Sequence, residues 1–358
     1  MPYYTSSSQS KHISELPFFT LNTSFPSLNM GSIDKEVVSE LPPFFRVYKD
    51  GTVERTRGSP IVPPSAEDPE TGVSSKDITI SEDPRILARV YLPKLSEPTT
   101  QKLPILVYYH GGGFCIESAF SLVETRLMNS LVSEAKIVAI SIEYRLAPEN
   151  PIPGIYEDCW SALQWVASHS VAEDGSCIKS LNQEPWLSTF GNFEKAFVGG
   201  DSSGGNVAHN ILMRAGKESL PGGVKIYGGL LTHPYFWGSK PVGSEPTENR
   251  DKIPSDQVWR FLYPTAPGGL DNPMMNFCAP DAPSLAQLGC SRLLVSAAEK
   301  DELWNRCVLY YNMVKESGWP GEVELVAVEG EEHAFHILNY ESENAKKMIK
   351  RLASFLLK

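Results

Sequence analysis

From about residue 76 to the C-terminus, short runs of β-branched and apolar residues alternate with longer segments in which apolar residues recur every three or four positions. The short runs are typical of buried strands, and the longer segments are typical of amphipathic helices. This alternation predicts an α/β fold with a mostly parallel central sheet and crossover helices. The predicted strands cover residues 86–92, 104–109, 137–142, 196–199, 225–231, 292–297 and 323–328, with a weaker strand at 76–80.

The predicted helices include one with an apolar face that runs from Phe120 to Ala135, and a basic amphipathic helix that ends at Leu357. Open α/β sheets bind their ligands beyond the carboxyl ends of the strands. Functional residues are therefore sought in the loops that follow each predicted strand.

Composition excludes several classes of protein. The 358 residues are 41% hydrophobic and 21% charged, and the apolar runs are shorter than a membrane span of about 18 residues. The net charge of −11 repels phosphate backbones and anionic lipids, so neither nucleic acid nor a membrane is an expected partner. The six cysteines form no C-x-x-C pair, which predicts reduced thiols and no structural zinc.

Residues 1–29 differ from the rest, because ten of them are Ser or Thr and Lys11 is the only basic side chain. We expect a mobile tail that precedes a single domain at residues 30–358. The tail has no apolar secretory core, so a cytoplasmic location is expected, with plastid targeting left open. Proline and glycine punctuate residues 37–62, predicted to be an extended arm, and residues 238–280, and both segments are expected to contribute to a cap.

Residues 200–206 lie between a predicted strand and a predicted helix and contain the pattern Gly-x-Ser-x-Gly, centred on Ser202. Flanking glycines permit the tight, strained turn that lifts a nucleophilic serine above a sheet. The alternative is a glycine-rich loop that only tightens a strand-to-helix turn. Ser202 is therefore a candidate nucleophile.

The run from His110 to Gly113 directly follows another predicted strand. Three successive glycines leave their backbone N–H groups unshielded, as an oxyanion hole requires. Gly111, Gly112 and Gly113 are candidates, with Gly112 and Gly113 preferred, together with the amide of Ser203. His110 is expected to be structural, and a phosphate-binding loop is excluded because the characteristic spacings are missing.

A serine nucleophile needs a general base, and the chain has seven histidines. The loop after the last predicted strand holds two of them, His333 and His336, and either could reach the site. The acid should lie between Ser202 and this loop and follow a strand, which favours Asp301 and leaves Glu299 in reserve. His12 lies in the tail, and His110, His169 and His209 fit structural positions better. His233 also follows a strand and stays possible, although its neighbours suit a packed pocket wall.

Taken together, these motifs resemble the plant carboxylesterases of the hormone-sensitive-lipase-like branch of the α/β hydrolases. The resemblance covers nearly all of residues 37–357, but not the segment before Met30. It implies an α/β-hydrolase fold with Ser202 as nucleophile, Asp301 as acid and His333, rather than His336, as base. The matching motifs, in the family's order, are residues 110–114, 143–149, 200–206, 301–303 and 333–336.

The resemblance also implies ester hydrolysis through an acyl-enzyme, with no metal or organic cofactor. Residues 288–294 and 317–319 look similar to family members of alkaloid pathways, so the expected substrate is a small ester of plant specialised metabolism. Five aromatic residues close to the candidate catalytic loops are expected to line its pocket: Phe114, Phe236, Trp237, Trp304 and Phe335.

The same family includes a hydroxyisoflavanone dehydratase, gibberellin receptors and cyclases of monoterpene indole alkaloid biosynthesis. Fold alone therefore does not fix the reaction. A lyase or cyclase and a small-molecule receptor are the alternatives, and the intact Ser-Asp-His set favours the esterase. The sequence does not fix the oligomeric state and is compatible with a homodimer.

Overall fold

An eight-stranded sheet forms the centre of the fold. The computed structural model of the chain describes residues 36–95, 101–170 and 183–358. The predicted tail at residues 1–29 lies outside the described residues. The strands are β1 (Val37–Leu41), β2 (Phe45–Tyr48), β3 (Val53–Arg55), β4 (Ser74–Glu82), β5 (Arg85–Leu92), β6 (Leu103–Tyr109), β7 (Val138–Glu143), β8 (Gly191–Asp201), β9 (Ile226–Thr232), β10 (Arg292–Ala298) and β11 (Glu322–Val328).

The strand order in the large sheet is β11-β10-β9-β8-β6-β7-β5-β4. Strands β6 to β11 are parallel, whereas β5 runs antiparallel to both of its neighbours, β7 and β4. Every strand predicted from residue 76 onwards is formed, including the weak one, and the predicted fold class is confirmed.

Helices cover both faces of this sheet, which explains why its strands are nearly continuous apolar runs. Along β6, Ile105 and Val107 face one hydrophobic cluster while Leu106 and Tyr108 face the other. The predicted amphipathic helices correspond to α1 and α8, which pack in the second cluster. The helices are α1 (Leu122–Ala135), α2 (Ile152–Ala167), α3 (Pro185–Phe190), α4 (Ser203–Ala215), α5 (Pro254–Leu262), α6 (Trp304–Glu316), α7 (Phe335–Leu338) and α8 (Glu343–Leu357).

The predicted extended arm is more ordered than expected, because β1, β2 and β3 form a separate antiparallel sheet. The two prolines Pro42 and Pro43 lie in the turn between β1 and β2, where a missing N–H removes no ladder bond. Leu41 and Phe45, on either side of this turn, are buried in the main hydrophobic core.

The arm contacts both the predicted insertion and the body of the domain. The ring of Phe45 packs edge-on against Phe261 of α5, with ring centroids 5.5 Å apart. Arg55 of β3 donates to the Cys115 carbonyl at 2.7 Å and pairs with Glu149 at 2.8 Å. The arm is thus held in place over the strand ends, within the compact unit formed by residues 37–358.

The described ranges contain neither a membrane-spanning helix nor a disulfide bond. No helix within them is long and apolar enough to cross a membrane. The five cysteines that they contain are all free thiols.

Candidate active site

Ser202 occupies a sharp turn between β8 and α4. Its φ of 51° and ψ of −118° are strained for a residue with a side chain. The turn is possible because Gly200 and Gly204 pack against each other and against the end of β6, where a Cβ on Gly204 would overlap the Tyr109 carbonyl. This is the geometry of a nucleophile elbow.

The glycine run after β6 also has a backbone that only glycine adopts easily. Gly112 has a φ of 98°, and a Cβ at this position would overlap the Ile116 carbonyl. The N–H groups of Cys115 and Ile116 both donate to the Gly112 carbonyl, at 3.1 and 3.0 Å, and close a tight turn. Gly112 and Gly113 line the same cavity as Ser202.

His333 and Asp301 form a close pair across two neighbouring loops. His333 Nδ1 lies 2.6 Å from Asp301 Oδ2, and the Leu303 N–H donates to the other carboxylate oxygen at 2.9 Å. The loops are also joined by the Lys300 N–H, which donates to the Glu331 carbonyl at 2.9 Å. The reserve acid, Glu299, instead accepts from the Gly330 N–H at 2.7 Å.

The electrostatics of this pair favour a protonated imidazole. Burial opposes the charge on His333, but Asp301, and next Asp201, outweigh burial and raise the pKa of His333. Because Asp201 directly precedes Ser202, this interaction also indicates that His333 lies near the elbow. The His333 side chain remains 37% exposed, so ligands can reach it.

The remaining described histidines are buried and pack against other residues of the fold. Burial lowers the pKa of His110 to about 4, and that of His209 and His336 to about 3. His110 stacks on Tyr144 with ring centroids 4.2 Å apart. His336 lines a separate cavity of about 250 Å³, so of the two candidate bases only His333 lines the cavity of Ser202.

His233 supports the base loop in a way that the sequence did not indicate. Its Nδ1 accepts from the N–H of Ala334, the residue after His333, at 3.2 Å. One potential metal-ligating atom from each of His233, Asp301 and His333 lies within 4.8 Å of the others, a spacing that could hold a metal ion. The two hydrogen bonds already present, His233 to Ala334 and His333 to Asp301, account for this proximity without one.

One large cavity contains the three candidate catalytic side chains Ser202, Asp301 and His333. Its volume is about 840 Å³, enough for a drug-sized molecule. Both predicted cap segments contribute to its lining, the arm through residues such as Phe44 and the insertion through Val258. Its apolar walls include Phe44, Ile116, Val123, Tyr235, Val258, Leu303 and Ile337.

The five predicted pocket aromatics do not line this cavity, and that prediction was wrong. Phe114 packs against Trp259, and Phe236 against Phe277 and Tyr310. In four of the five cases the preceding residue lines the cavity instead. The residues that do not line it are Phe114, Phe236, Trp237, Trp304 and Phe335, and the preceding residues that do are Gly113, Tyr235, Leu303 and Ala334.

Gly111 also needs correction as an oxyanion-hole residue. It does not line the cavity, and a Cβ at this position would overlap the carboxylate of Asp201. Its backbone amide interacts with Asp201 and Glu124. This interaction lowers the pKa of each carboxyl, although burial raises each pKa by more. Ser203 does not line the cavity either, but it is the first residue of α4, so its N–H has no intrahelical acceptor and it stays a candidate.

Comparisons with known proteins agree with the fold described above. A family model described as the α/β-hydrolase fold matches residues 106–337, and one for the carboxylesterase family matches residues 54–149. A 2-hydroxyisoflavanone dehydratase from Glycyrrhiza echinata is 59% identical over 90% of this chain and 97% of its own length. Tabersonine synthase from Catharanthus roseus is 47% identical over 91% of this chain and all of its own length.

Among solved structures, a hyperthermophilic esterase from the archaeon Pyrobaculum calidifontis matches with a TM-score of 0.62 and 27% identity. The match covers 79% of this chain and 85% of that one.

Proposed function

Because the chain belongs to the α/β-hydrolase family, we propose that it is a serine carboxylesterase that hydrolyses a small ester of plant specialised metabolism. The observation that carries this proposal is the His333–Asp301 pair, bonded at 2.6 Å in the cavity that Ser202 also lines. A similar solved structure is that of an esterase, which supports the reaction class.

In the proposed mechanism, Ser202 attacks the ester carbonyl while His333 takes the proton from its hydroxyl. The bond between His333 Nδ1 and Asp301 leaves Nε2 as the atom that accepts this proton. His333 then returns the proton to the leaving alcohol. Water, activated by the same imidazole, hydrolyses the acyl-enzyme and regenerates Ser202.

The negative charge of the tetrahedral intermediate would be bound by backbone N–H groups. The candidates are Gly112 and Gly113, which line the cavity, and Ser203 at the first turn of α4. Loss of one such donor typically costs about 3 kcal/mol of transition-state stabilisation. The positive end of the α4 dipole adds to this stabilisation.

The test is turnover of p-nitrophenyl acetate and butyrate by the wild type and by Ser202→Ala. Ser202→Ala should lose the activity down to the background that the oxyanion hole supplies, with an unchanged melting temperature. Ser130→Ala, the same change on α1 outside the catalytic cavity, serves as the matched control and should keep full activity. Wild-type rates in Ser202→Ala would remove Ser202 as the nucleophile.

A dehydratase is the second candidate, favoured by the relative that is 59% identical to this chain. Elimination of water from a hydroxylated ketone needs a base for a carbon-bound proton and donors for the enolate oxygen. His333 would take the carbon-bound proton and return it to the departing hydroxyl group, which leaves as water, while the glycine amides bind the enolate oxygen. Ser202 has no nucleophilic role in this reaction.

Ser202→Ala therefore also separates the two candidates. A dehydratase should retain conversion of 2-hydroxyisoflavanone in this variant, whereas an esterase should lose its hydrolysis of p-nitrophenyl esters. A wild type that binds small molecules but performs neither reaction would favour the receptor alternative. The cytoplasmic location and the homodimer remain predictions.

A further inference from the structure

Glu124, in the first turn of α1, is a buried acid that lines the candidate catalytic cavity. Its side chain is only 2% exposed. Its Oε2 atom is buried and has no hydrogen-bond partner among the described residues. An unpartnered carboxyl oxygen in such a position destabilises the fold, so a functional reason for it is worth seeking.

The sequence around Glu124 offers a structural explanation that the geometry does not support. Ser121 and Glu124 have the S-x-x-E spacing of a capping box, in which the glutamate accepts from the N–H of the N-cap residue. The N–H of Ser121 instead donates to the Ser118 carbonyl at 3.0 Å, and the Ser121 side chain makes no cap bond. The Glu124 side chain therefore does not form the capping-box bond to Ser121, and it lines the cavity.

Of the other acids that line the cavity, Glu302 accepts from Ser255 and Glu332 is exposed to solvent, and the remaining three also have hydrogen-bond partners. Glu117 accepts from the N–H and the hydroxyl of Ser59, both at 2.9 Å. Asp201 accepts from the Tyr108 hydroxyl at 2.9 Å, and Asp301 is bonded to His333. This contrast singles out Glu124 as the buried acid of the cavity with hydrogen-bonding capacity left for a ligand.

The surroundings of Glu124 favour its neutral form. Burial, and next the negative charges of Asp201 and Glu117, raise the pKa of Glu124 well above its ordinary value. The Gly111 amide opposes this shift only in part. A neutral carboxyl group has one O–H donor, which an ionised carboxylate lacks.

We propose that Glu124 donates a hydrogen bond to an oxygen substituent of the bound substrate, a hydroxyl or an ether oxygen, and so selects oxygenated molecules. This inference rests on the proposed function in one respect, since it takes the cavity to be the substrate site. Glu124 and Asp201 both interact with the Gly111 amide, and both line the cavity with Ser202, so the recognised oxygen should lie near the elbow. Glu124 is thus a specificity residue for the acyl or alcohol part of the ester.

The alternative ligand is a cationic amine, for which Glu124 would be an ionised counter-ion. Burial is the largest influence on the carboxyl, and it disfavours any charge at this position. A neutral donor that meets a neutral oxygen needs no buried ion pair. For this reason we favour the oxygen acceptor.

Binding of four naphthalene probes, measured by equilibrium dialysis at neutral pH, tests the inference independently of turnover. The probes are 2-naphthol, 2-methoxynaphthalene, 2-methylnaphthalene and 2-(aminomethyl)naphthalene. The wild type should bind the naphthol and the methoxy probe about three- to tenfold more tightly than the methyl probe, as one hydrogen bond allows. Glu124→Gln keeps an N–H donor and should retain this preference, whereas Glu124→Leu should lose it.

Two controls keep the result interpretable. Glu134→Leu makes the same change at an exposed position of α1, outside this cavity, and should leave the preference unchanged. Glu124→Leu removes an unpartnered buried oxygen, so its melting temperature should rise by about 2 °C or more while it still binds the methyl probe.

Three results would overturn the inference: no preference for oxygen in the wild type, an unchanged preference in Glu124→Leu, or tightest binding of the amine that disappears in Glu124→Gln. The last result would make Glu124 a counter-ion. A protein that shows the expected preference but hydrolyses no ester would contradict the proposed function and leave the role of Glu124 intact.

Discussion

The bond between His333 Nδ1 and Asp301 Oδ2 determines which imidazole nitrogen is available to Ser202. It also stabilises the imidazolium that forms when the serine proton is transferred. Asp301 holds its own position through the Leu303 N–H. At the scale of single residues, the chemistry of the site therefore depends on how the acid fixes the base, as well as on the nucleophile.

The pH profile reports this interaction directly. Asp301 helps to raise the pKa of His333, and a general base works only when it is neutral. Activity should thus be present above the raised pKa and fall as the pH drops through it, at a pH above the ordinary histidine value of about 6.5. In Asp301→Asn, kcat should fall by about four orders of magnitude and the acid limb of kcat/KM should move to lower pH. A limb that stays in place would show that another group controls it.

The two histidines of the base loop should respond differently to the same substitution. We expect His333→Ala to lower kcat by about three orders of magnitude or more, because it removes the base. His336→Ala should lower it by about tenfold or less, because His336 lines the other cavity. Steady-state kinetics with a p-nitrophenyl ester measures both. The reverse ranking would mean that the base is His336.

Sequence patterns identified the polar residues of the site better than its walls. Ser202, Asp301 and His333 could be found because each follows a strand, and parallel strands bring their carboxyl ends to one edge of a sheet. The wall residues could not be found in this way, because neighbouring residues in a turn or helix start point in different directions. Tyr235 and Phe236 illustrate this, since only the first lines the cavity.

At the scale of elements, the arm was the least predictable part of the fold. The strands β1 to β3 are three to five residues long, too short to show a clear alternation of apolar and polar residues. Proline and glycine in their turns hide them further. By contrast, most strands of the large sheet contain apolar runs that can be recognised without tertiary information, and the exception is the polar edge strand β4.

The arm should affect substrate binding more than chemistry. Phe45→Ala removes the ring that packs on Phe261 of α5, and Phe44 beside it lines the cavity. We expect the free energy of unfolding to fall by about 3 kcal/mol or more, and KM for a p-nitrophenyl ester to rise by about three- to tenfold with a smaller change in kcat. Urea denaturation and steady-state kinetics measure these effects.

Phe355→Ala provides the matched control for this prediction. Phe355 is equally buried, but it lies on α8 in the other hydrophobic cluster. It should lose similar stability without a change in KM. Equal KM effects in the two variants would mean that the arm acts only through general stability.

At the scale of the whole molecule, the catalytic unit is expected to begin after the tail. Among the residues that the structure describes, those that line the cavity all lie in the range from Phe44 to Leu338. Deletion of residues 1–29 should change neither the melting temperature nor the esterase rate, since ten of these residues are Ser or Thr and none is a candidate catalytic group. A melting temperature lower by several degrees would show that the tail packs on the domain.

The strand order affects the temperature at which the protein loses its activity. Ser202 follows β8 near the middle of the sheet, whereas His333 follows β11, one of the two edge strands of the described sheet. Outer strands open locally at a lower free energy than central ones. Fraying of β11 would carry the imidazole away from the serine while the rest of the sheet stays folded. Loss of catalysis should therefore begin several degrees below the cooperative melting transition and reverse on cooling. The temperature dependence of activity would then report the local stability of this edge of the sheet.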